Sequence, residues 1–376
     1  MWTTSFHCQS IDQLKTTLRN STTHQSPSIG IVFCSPNYDI DEIRTAFNEL
    51  GIDLVGCTTA GEIVDTALYE NSIAILLLDL DPAYYHIGTK QHQGADVYQA
   101  ALTLGQEAAT EFENPAMIIF SGGLVVNAEL IIDGLQTGAG KSLPMYGGLA
   151  GDDLALDKTI AFSHGDVSDN CLVILSIDTD KVLLKGLAIS GWEPIGGVNT
   201  ITECEGNVIY GINGEPAFDV FSRYFGFSSS GDKVDQLVTI QTNYPLQILR
   251  KEGYSVLRSP LLVNEDDRSI TLAASVEKGE QFRFSTSPGF EVIEKTIDEF
   301  SQLQQGVPQA DALVLFSCKG RHGAFGPMLE DEISGIFEQW EKPMIGLLTY
   351  GEFGDNGKGK CEFHNETCSL VILKEK

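Results

Sequence analysis

The 376-residue chain predicts a two-domain α/β protein. Its mixed β-sheets are flanked by helices and built from three related strand-helix-strand-helix-strand-strand units, with a β-rich insertion before the third. Three observations lead there. The apolar runs Ile29 to Ser35 (IGIVFCS), Met117 to Gly123 (MIIFSGG) and Leu313 to Lys319 (LVLFSCK) end alike, breaking into small polar residues after a Phe. Each is followed by a helical pattern and then by a strand ending in Gly plus acid: Gly61-Glu62, Gly151-Asp152 and Gly351-Glu352. A last apolar strand closes each unit. A period this long signals repeated supersecondary units, which a search for single motifs misses.

The elements follow in order. Each unit opens with a short strand and a helix: TTSF then Ser10 to Leu18, YHIGTK then Ala95 to Phe112, and FRFST then Gly289 to Leu303. The first of these helices carries a capping box, Ser10 with Gln13 three residues on. The three Phe-ended runs have the length and β-branched content of buried strands. Ile40, Ile43, Phe47 and Leu50 share one helix face, as do Ile333, Phe337 and Trp340, whereas the pattern at Glu129 to Leu135 is weaker. The closing strands are Asn71 to Asp79, Asn170 to Asp178 and Thr367 to Glu375. Between the second and third units, about Lys185 to Lys278 reads as strands and turns with one helix near Ala217 to Phe225. The boundary falls near Asp180, giving domains 1–180 and 181–376. Two domains are the default at this length, since single cores stop growing at roughly 250–300 residues. A strand, a crossover helix and a second strand imply a parallel pair, so the strand ends and the Gly-acid turns converge on one edge, where such sheets bind ligands.

Composition narrows the function. The formal net charge is −28, which repels nucleic-acid phosphates and anionic membrane surfaces. No apolar run approaches the roughly 20 residues of a membrane span, and the start lacks a secretory pattern, so a cytoplasmic protein is expected. The eight cysteines have no disulfide-like framework and are expected to be reduced.

At the turns, Thr58, Thr59 and Glu62, with Thr349, Tyr350 and Glu352, offer hydroxyls and carboxylates to a polar ligand. The other reading is that Gly61, Gly151 and Gly351 take positive φ while the acid caps the next segment. Both stay open; the middle copy, with Leu149 where the first has Thr59, favours the turn. Cys318 stands beside Lys319 and Arg321, which lowers a thiol's pKa, and Arg321 suits a carboxylate clamp. A pocket-lining Cys318 is preferred to a nucleophile, because its repeat partners are Ser35 and Gly122 and no histidine is suitably spaced. Cys361, His364 and Cys368 lack a fourth zinc ligand, and Cys368 aligns with Cys171 and Ser72. DGLQTGAGKS fails the P-loop in spacing and in context. The histidines show no metal spacing; His86, His92, His164 and His364 read as surface or loop residues, although a single axial haem ligand leaves no signature.

These residues resemble a known family. VGCTTAGEI and GGLAGDD resemble the N-terminal FIST domain; GNVIYGINGEPAFDVF, LRSPLLV, LFSCKGR and PMIGLLTYGEF resemble the C-terminal FIST domain. The resemblance implies a standalone, non-enzymatic sensory protein that binds a small ligand, such as an amino acid, and signals to a partner, for instance a histidine kinase or a chemotaxis-type protein. Some members resemble haem proteins that sense nitric oxide and act on a histidine kinase, so haem is the one cofactor implied. The family motif falls on Gly56, Thr58, Thr59, Gly61, Glu62, Cys318, Gly320, Arg321, Tyr350, Gly351 and Glu352, with Asp152 in the middle copy.

Overall fold

The computed structural model describes residues 1–23, 25–92, 96–124, 126–226, 244–251, 253–287 and 289–376. The first unit comprises β1 (Trp2–Cys8), α1 (Ile11–Ser21), β2 (Ile29–Cys34), α2 (Ile40–Asn48), β3 (Asp53–Thr58), β4 (Glu62–Val64), β5 (Ala67–Tyr69) and β6 (Ile73–Asp79). The second repeats it as β7 (Tyr85–Gln91), α3 (Val97–Glu111), β8 (Pro115–Ser121), α4 (Ala128–Ala139), β9 (Met145–Leu149), β10 (Ala161–Ser163), β11 (Val167–Ser168) and β12 (Cys171–Asp178).

The third unit opens with β13 (Val182–Ile189), which pairs with the chain's last strand along its whole length. FRFST is therefore not the opening strand. It belongs to the insertion, which leaves the unit after β13. Both segments read as apolar strands, and pairing alone tells them apart. The insertion holds β14 (Glu193–Glu205), β15 (Val208–Ile212), β16 (Glu215–Pro216), α5 (Ala217–Phe225), β17 (Leu246–Leu249), β18 (Ser255–Arg258), β19 (Pro260–Asn264), β20 (Ser269–Leu272) and β21 (Gln281–Thr286), joined in a sheet of their own. The unit resumes with α6 (Glu291–Gly306), β22 (Ala312–Cys318), α7 (Lys319–Phe325), α8 (Leu329–Trp340), β23 (Met344–Thr349), β24 (Glu352–Asp355), β25 (Cys361–His364) and β26 (Cys368–Glu375).

Each unit builds four strands of a sheet and lends its hairpin to another unit. The orders are β1-β6-β2-β3-β10-β11, β7-β12-β8-β9-β24-β25 and β13-β26-β22-β23-β4-β5. Unit one thus receives from two, two from three, and three from one, and the exchange closes into a ring. The predicted parallel pairs are β2/β3, β8/β9 and β22/β23. A glycine in each pair sits against the neighbouring backbone: a Cβ on Gly56 would lie 1.8 Å from the Val32 carbonyl oxygen, on Gly147 2.0 Å from that of Ile119, and on Gly346 2.5 Å from that of Leu315.

The Phe that ends each run points to the centre of the ring. Phe33, Phe120 and Phe316 are fully buried, with centroid separations of 5.9, 6.0 and 6.2 Å, within the 4.5–7 Å range of favourable aromatic pairs. One apolar cluster runs through this triad and joins all three units. Phe120→Ala opens a cavity that three sheets share, and a loss of about 3–5 kcal/mol is expected for such a truncation. Urea unfolding checks this, and all three units should lose stability together rather than the second alone.

Candidate functional site

Strand register fixes which residues correspond at the rim. Gly56 lies opposite Val32, Gly147 opposite Ile119 and Gly346 opposite Leu315. Just beyond the strands, the amides of Ala60, Gly151 and Tyr350 donate to the carbonyls of Leu348 (3.0 Å), Thr58 (2.9 Å) and Leu149 (3.3 Å), a ring of three equivalent bonds between units. The next bonds run from Leu348 N to Gly61 O, Leu149 N to Gly351 O and Thr58 N to Ile160 O. Ile160 therefore occupies the place of Gly61 and Gly351. In the paired hairpins, Glu62 faces Leu347, Glu352 faces Gly148 and Ala161 faces Cys57.

This changes the middle copy. Asp152 is not the counterpart of Glu62; Ala161 is, and residues 152–159 are an insertion. Gly151 lies outside the left-handed region that Gly61 (φ 138°) and Gly351 (φ 154°) adopt. It is small because a Cβ there would stand 2.6 Å from the Ala60 nitrogen. Likewise Thr367, not Cys368, matches Ser72 and Cys171, since their carbonyls accept from Cys318, Ser35 and Gly122 respectively.

The outer copies form closed polar knots. Thr59 donates its hydroxyl to Glu62 Oε1, and Ser72 donates its amide and hydroxyl to Oε2, both at 3.0 Å. Thr349 does the same to Glu352 Oε1, with Thr367 giving its hydroxyl (2.6 Å) and amide (3.3 Å) to Oε2. Thr58 joins the units through its hydroxyl, which accepts from Ile160 N at 2.9 Å. Thr58, Thr59, Glu62, Thr349 and Glu352 are all fully buried. Burial, opposed in part by these hydrogen bonds, lifts both carboxyls to about 7. The middle copy has Ala150, Ala161 and Cys171 in the same three places, so no knot forms.

The inserted loop uses Asp152 differently. Its carboxylate accepts from the amides of Leu156 (3.1 Å), Asp157 (2.7 Å) and Lys158 (3.0 Å) and from Tyr350 Oη (2.5 Å). Burial pulls its pKa up, but these bonds outweigh it and hold the carboxyl below its usual range. Tyr350 Oη also accepts from the amides of Asp152 and Leu154, so the third unit latches the loop. Asp153, Leu154 and Leu156 have φ of 54°, 64° and 52°, a costly region for leucine.

Arg321 and Cys318 sit beneath this rim. Arg321 is fully buried, paired with Glu332, bonded to the carbonyls of Ser190 (2.6 Å) and Glu366 (3.3 Å), and stacked near Trp192 and Phe325. Its donors are engaged inside the protein. Lys319 turns its ammonium to the Ala60 carbonyl, 2.9 Å away. The expected lowering of the Cys318 pKa is reversed: burial, with Glu352 and Glu366 nearby, raises it well above the ordinary thiol value. That thiol stays neutral, which does not suit a nucleophile. Glu366, lifted to about 8 mainly by burial, accepts from Ser259 Oγ at 2.9 Å, and a Cβ on Gly320 would strike its carboxylate at 2.1 Å.

Beyond the rim, the largest of the cavities described here, about 910 Å³, lies between α4 and the insertion. Its walls carry both charges: Glu129, Asp133, Glu277, Glu280 and Glu362 against Arg250, Lys251, Lys278 and Lys360. Arg250 pairs with Glu280 and lies 3.5 Å from Glu129 and 3.8 Å from Glu362; the fully buried Arg258 also pairs with Glu129. Sequence reasoning assigned none of these to a site. A second cavity of about 280 Å³ lies under the inserted loop beside His92, and a groove of about 560 Å³ carries His86 and His164.

The histidines are placed differently from expectation in part. His92 and His364 are buried, His364 with Nε2 3.3 Å from the Gly354 carbonyl oxygen, whereas His86 is half-buried and His164 exposed. These cavities offer haem no apolar site with an axial histidine: the large one has no histidine, the one at His92 is only about 280 Å³, and the groove at His86 and His164 is lined almost wholly by polar and charged residues.

Comparison with known proteins gives two adjoining family domains, divided within the insertion. Residues 28–215 match the FIST N domain and residues 217–355 the FIST C domain. The chain belongs to the FIST family, whose domains are associated with sensing small ligands in signal transduction and are not known as enzymes. An uncharacterised protein of Methanocaldococcus jannaschii is 24% identical over 245 residues, 61% of this chain and 44% of that protein, so the match spans less than half of the relative's length. Among the described residues no helix is long and apolar enough to cross a membrane.

Glu62, Glu352 and Glu366 bind protons more tightly folded than in an unfolded chain, where a glutamate titrates near 4.3. Their contribution is full below about pH 4 and is lost as pH rises through about 7 to 8. Stability should therefore fall from pH 5 to pH 8 in urea titrations, and Glu352→Gln, which imitates the protonated acid, should flatten that slope.

Proposed function

We propose that this protein is a cytoplasmic sensor that binds a small polar metabolite, an amino acid or a molecule of like chemistry, and signals its occupancy to a partner such as a histidine kinase. The observation that carries the reading is the cleft of about 910 Å³ between α4 of the second unit and the insertion. Ligand sites favour such domain junctions and volumes of roughly 300–1,000 Å³. Carboxylates and cations on facing walls suit a zwitterion, whose ammonium and carboxylate need opposite partners. The strand-end residues Thr58, Thr59, Gly61, Glu62, Asp152, Cys318, Arg321, Thr349, Tyr350, Gly351 and Glu352 would act on this site by holding the rim on which α4 and β25 are mounted. Relay requires that the ligand bind one arrangement of the two walls more tightly than the other. Arg250 is the member best placed to change partners, because three carboxylates surround it.

A thermal-shift screen of the common amino acids and small organic acids tests this. One compound at about 100 times its Kd should add about 2.7 kcal/mol of stability. Arg250→Ala should weaken its binding roughly 10- to 100-fold, the scale of a charged hydrogen bond. A screen in which no such compound shifts the melting temperature contradicts the proposal.

A further inference from the structure

The cavity under the inserted loop has features the cleft does not. His92 follows β7 and is only 6% exposed, and neither of its ring nitrogens has a hydrogen-bond partner among the described residues. Buried polar groups are nearly always paired, so an orphaned imidazole in the lining of a cavity calls for a partner that the described residues do not supply. The remaining walls are Gly123, Leu124 and Val126 on one side and Asp157, Lys158 and Thr159 of the loop on the other, with Asp169 and Asn170 beside them. The loop has no counterpart in the other two units. Its left-handed residues, its Asp152 staple and its latch to Tyr350 hold it over the cavity. Backbone held in a sparsely populated conformation by surrounding bonds is a recurrent mark of ligand sites.

We propose that this cavity is a second ligand site, which takes a short uncharged molecule whose carboxamide end meets the His92 ring. The chemistry follows from the walls. Burial favours the neutral ring, which presents one N–H and one lone pair. A carboxamide serves whichever nitrogen faces it, through its carbonyl or its NH₂. An anion would find only Lys158, which is exposed and stands beside Asp157. An ammonium group would find no fully buried carboxylate in the lining, since Asp157 is exposed and Asp169 half-buried. Leu124 and Val126 suit a short apolar tail. At about 280 Å³ the space fits a small fragment, below the volume usual for drug-sized ligands.

The test uses full-length protein labelled with ¹⁵N-histidine, the His92 signals being assigned by their loss in His92→Leu. Butyramide should move a His92 ring-nitrogen resonance saturably, while butyrate and butylammonium at equal concentration leave it in place. By calorimetry, His92→Gln, which keeps a donor and an acceptor, should bind butyramide within a few-fold of the parent, and His92→Leu should lose roughly tenfold or more, as for a lost buried hydrogen bond. The proposal is overturned by a His92 that responds to none of the three probes or to all alike, by ring nitrogens bonded to water that butyramide does not displace, or by a His92→Leu variant that binds like the parent. The His92 resonance reports this cavity and not the cleft, so an amino acid seated in the cleft and butyramide under the loop are distinguished, and failure of one leaves the other standing.

Discussion

The amides of Ala60, Gly151 and Tyr350 each reach a carbonyl in a different unit, and through them every sheet is completed by a hairpin it does not own. This exchange constrains everything else. Glycine is needed where Gly56, Gly147 and Gly346 press on neighbouring strands. The three phenylalanines must meet because the ring has a centre. The strand ends are brought to a common rim because the hairpins leave from there. A residue in one unit is thereby held by the backbone of another, which makes the rim a place where local change is felt across units.

The two outer copies and the middle one show what such a rim can do. In the outer copies a carboxyl is surrounded by hydroxyls and an amide, and both its oxygens accept hydrogen bonds from them. These are devices of assembly: they satisfy buried polar groups at the crossing of two units. The middle copy replaces each member with a small apolar residue and spends eight extra residues on a loop. Polar chemistry there moves from the buried crossing to Asp152, Tyr350 and the space around His92.

Much of the fold was legible from the chain. IGIVFCS, MIIFSGG and LVLFSCK are buried strands because both faces of each are covered, and their shared Phe reported the common centre. The β13 segment was read as a strand of the insertion rather than as the third unit's opening strand, because VLLKGLAI and FRFST are equally good strands and partner choice is a long-range property. The Gly151-Asp152 pair imitated Gly61-Glu62 because an insertion that begins with an acid after a glycine leaves the local pattern intact; only the pairing of Cys57 with Ala161 exposes it. Arg321 looked like a ligand clamp since its partner, Glu332, lies on the next helix and nothing local announces the pair. For Cys318 only the direction of the pKa was misread, because adjacent cations in sequence were weighed, whereas burial beside two carboxyls decides its state. His92 carried no signal, as its interest lies in the absence of a partner.

The inserted loop gives the molecule an internal reference. Units one and three carry the same strands and turns without residues 152–159, inside the same chain and solution. A perturbation that belongs to binding under this loop should therefore appear around the loop and be missing from the two pseudo-symmetric turns, whereas changes in temperature, salt or global stability should register in all three. Broken symmetry, in this protein, sets the inserted loop apart from two turns that share its strand register but not its chemistry.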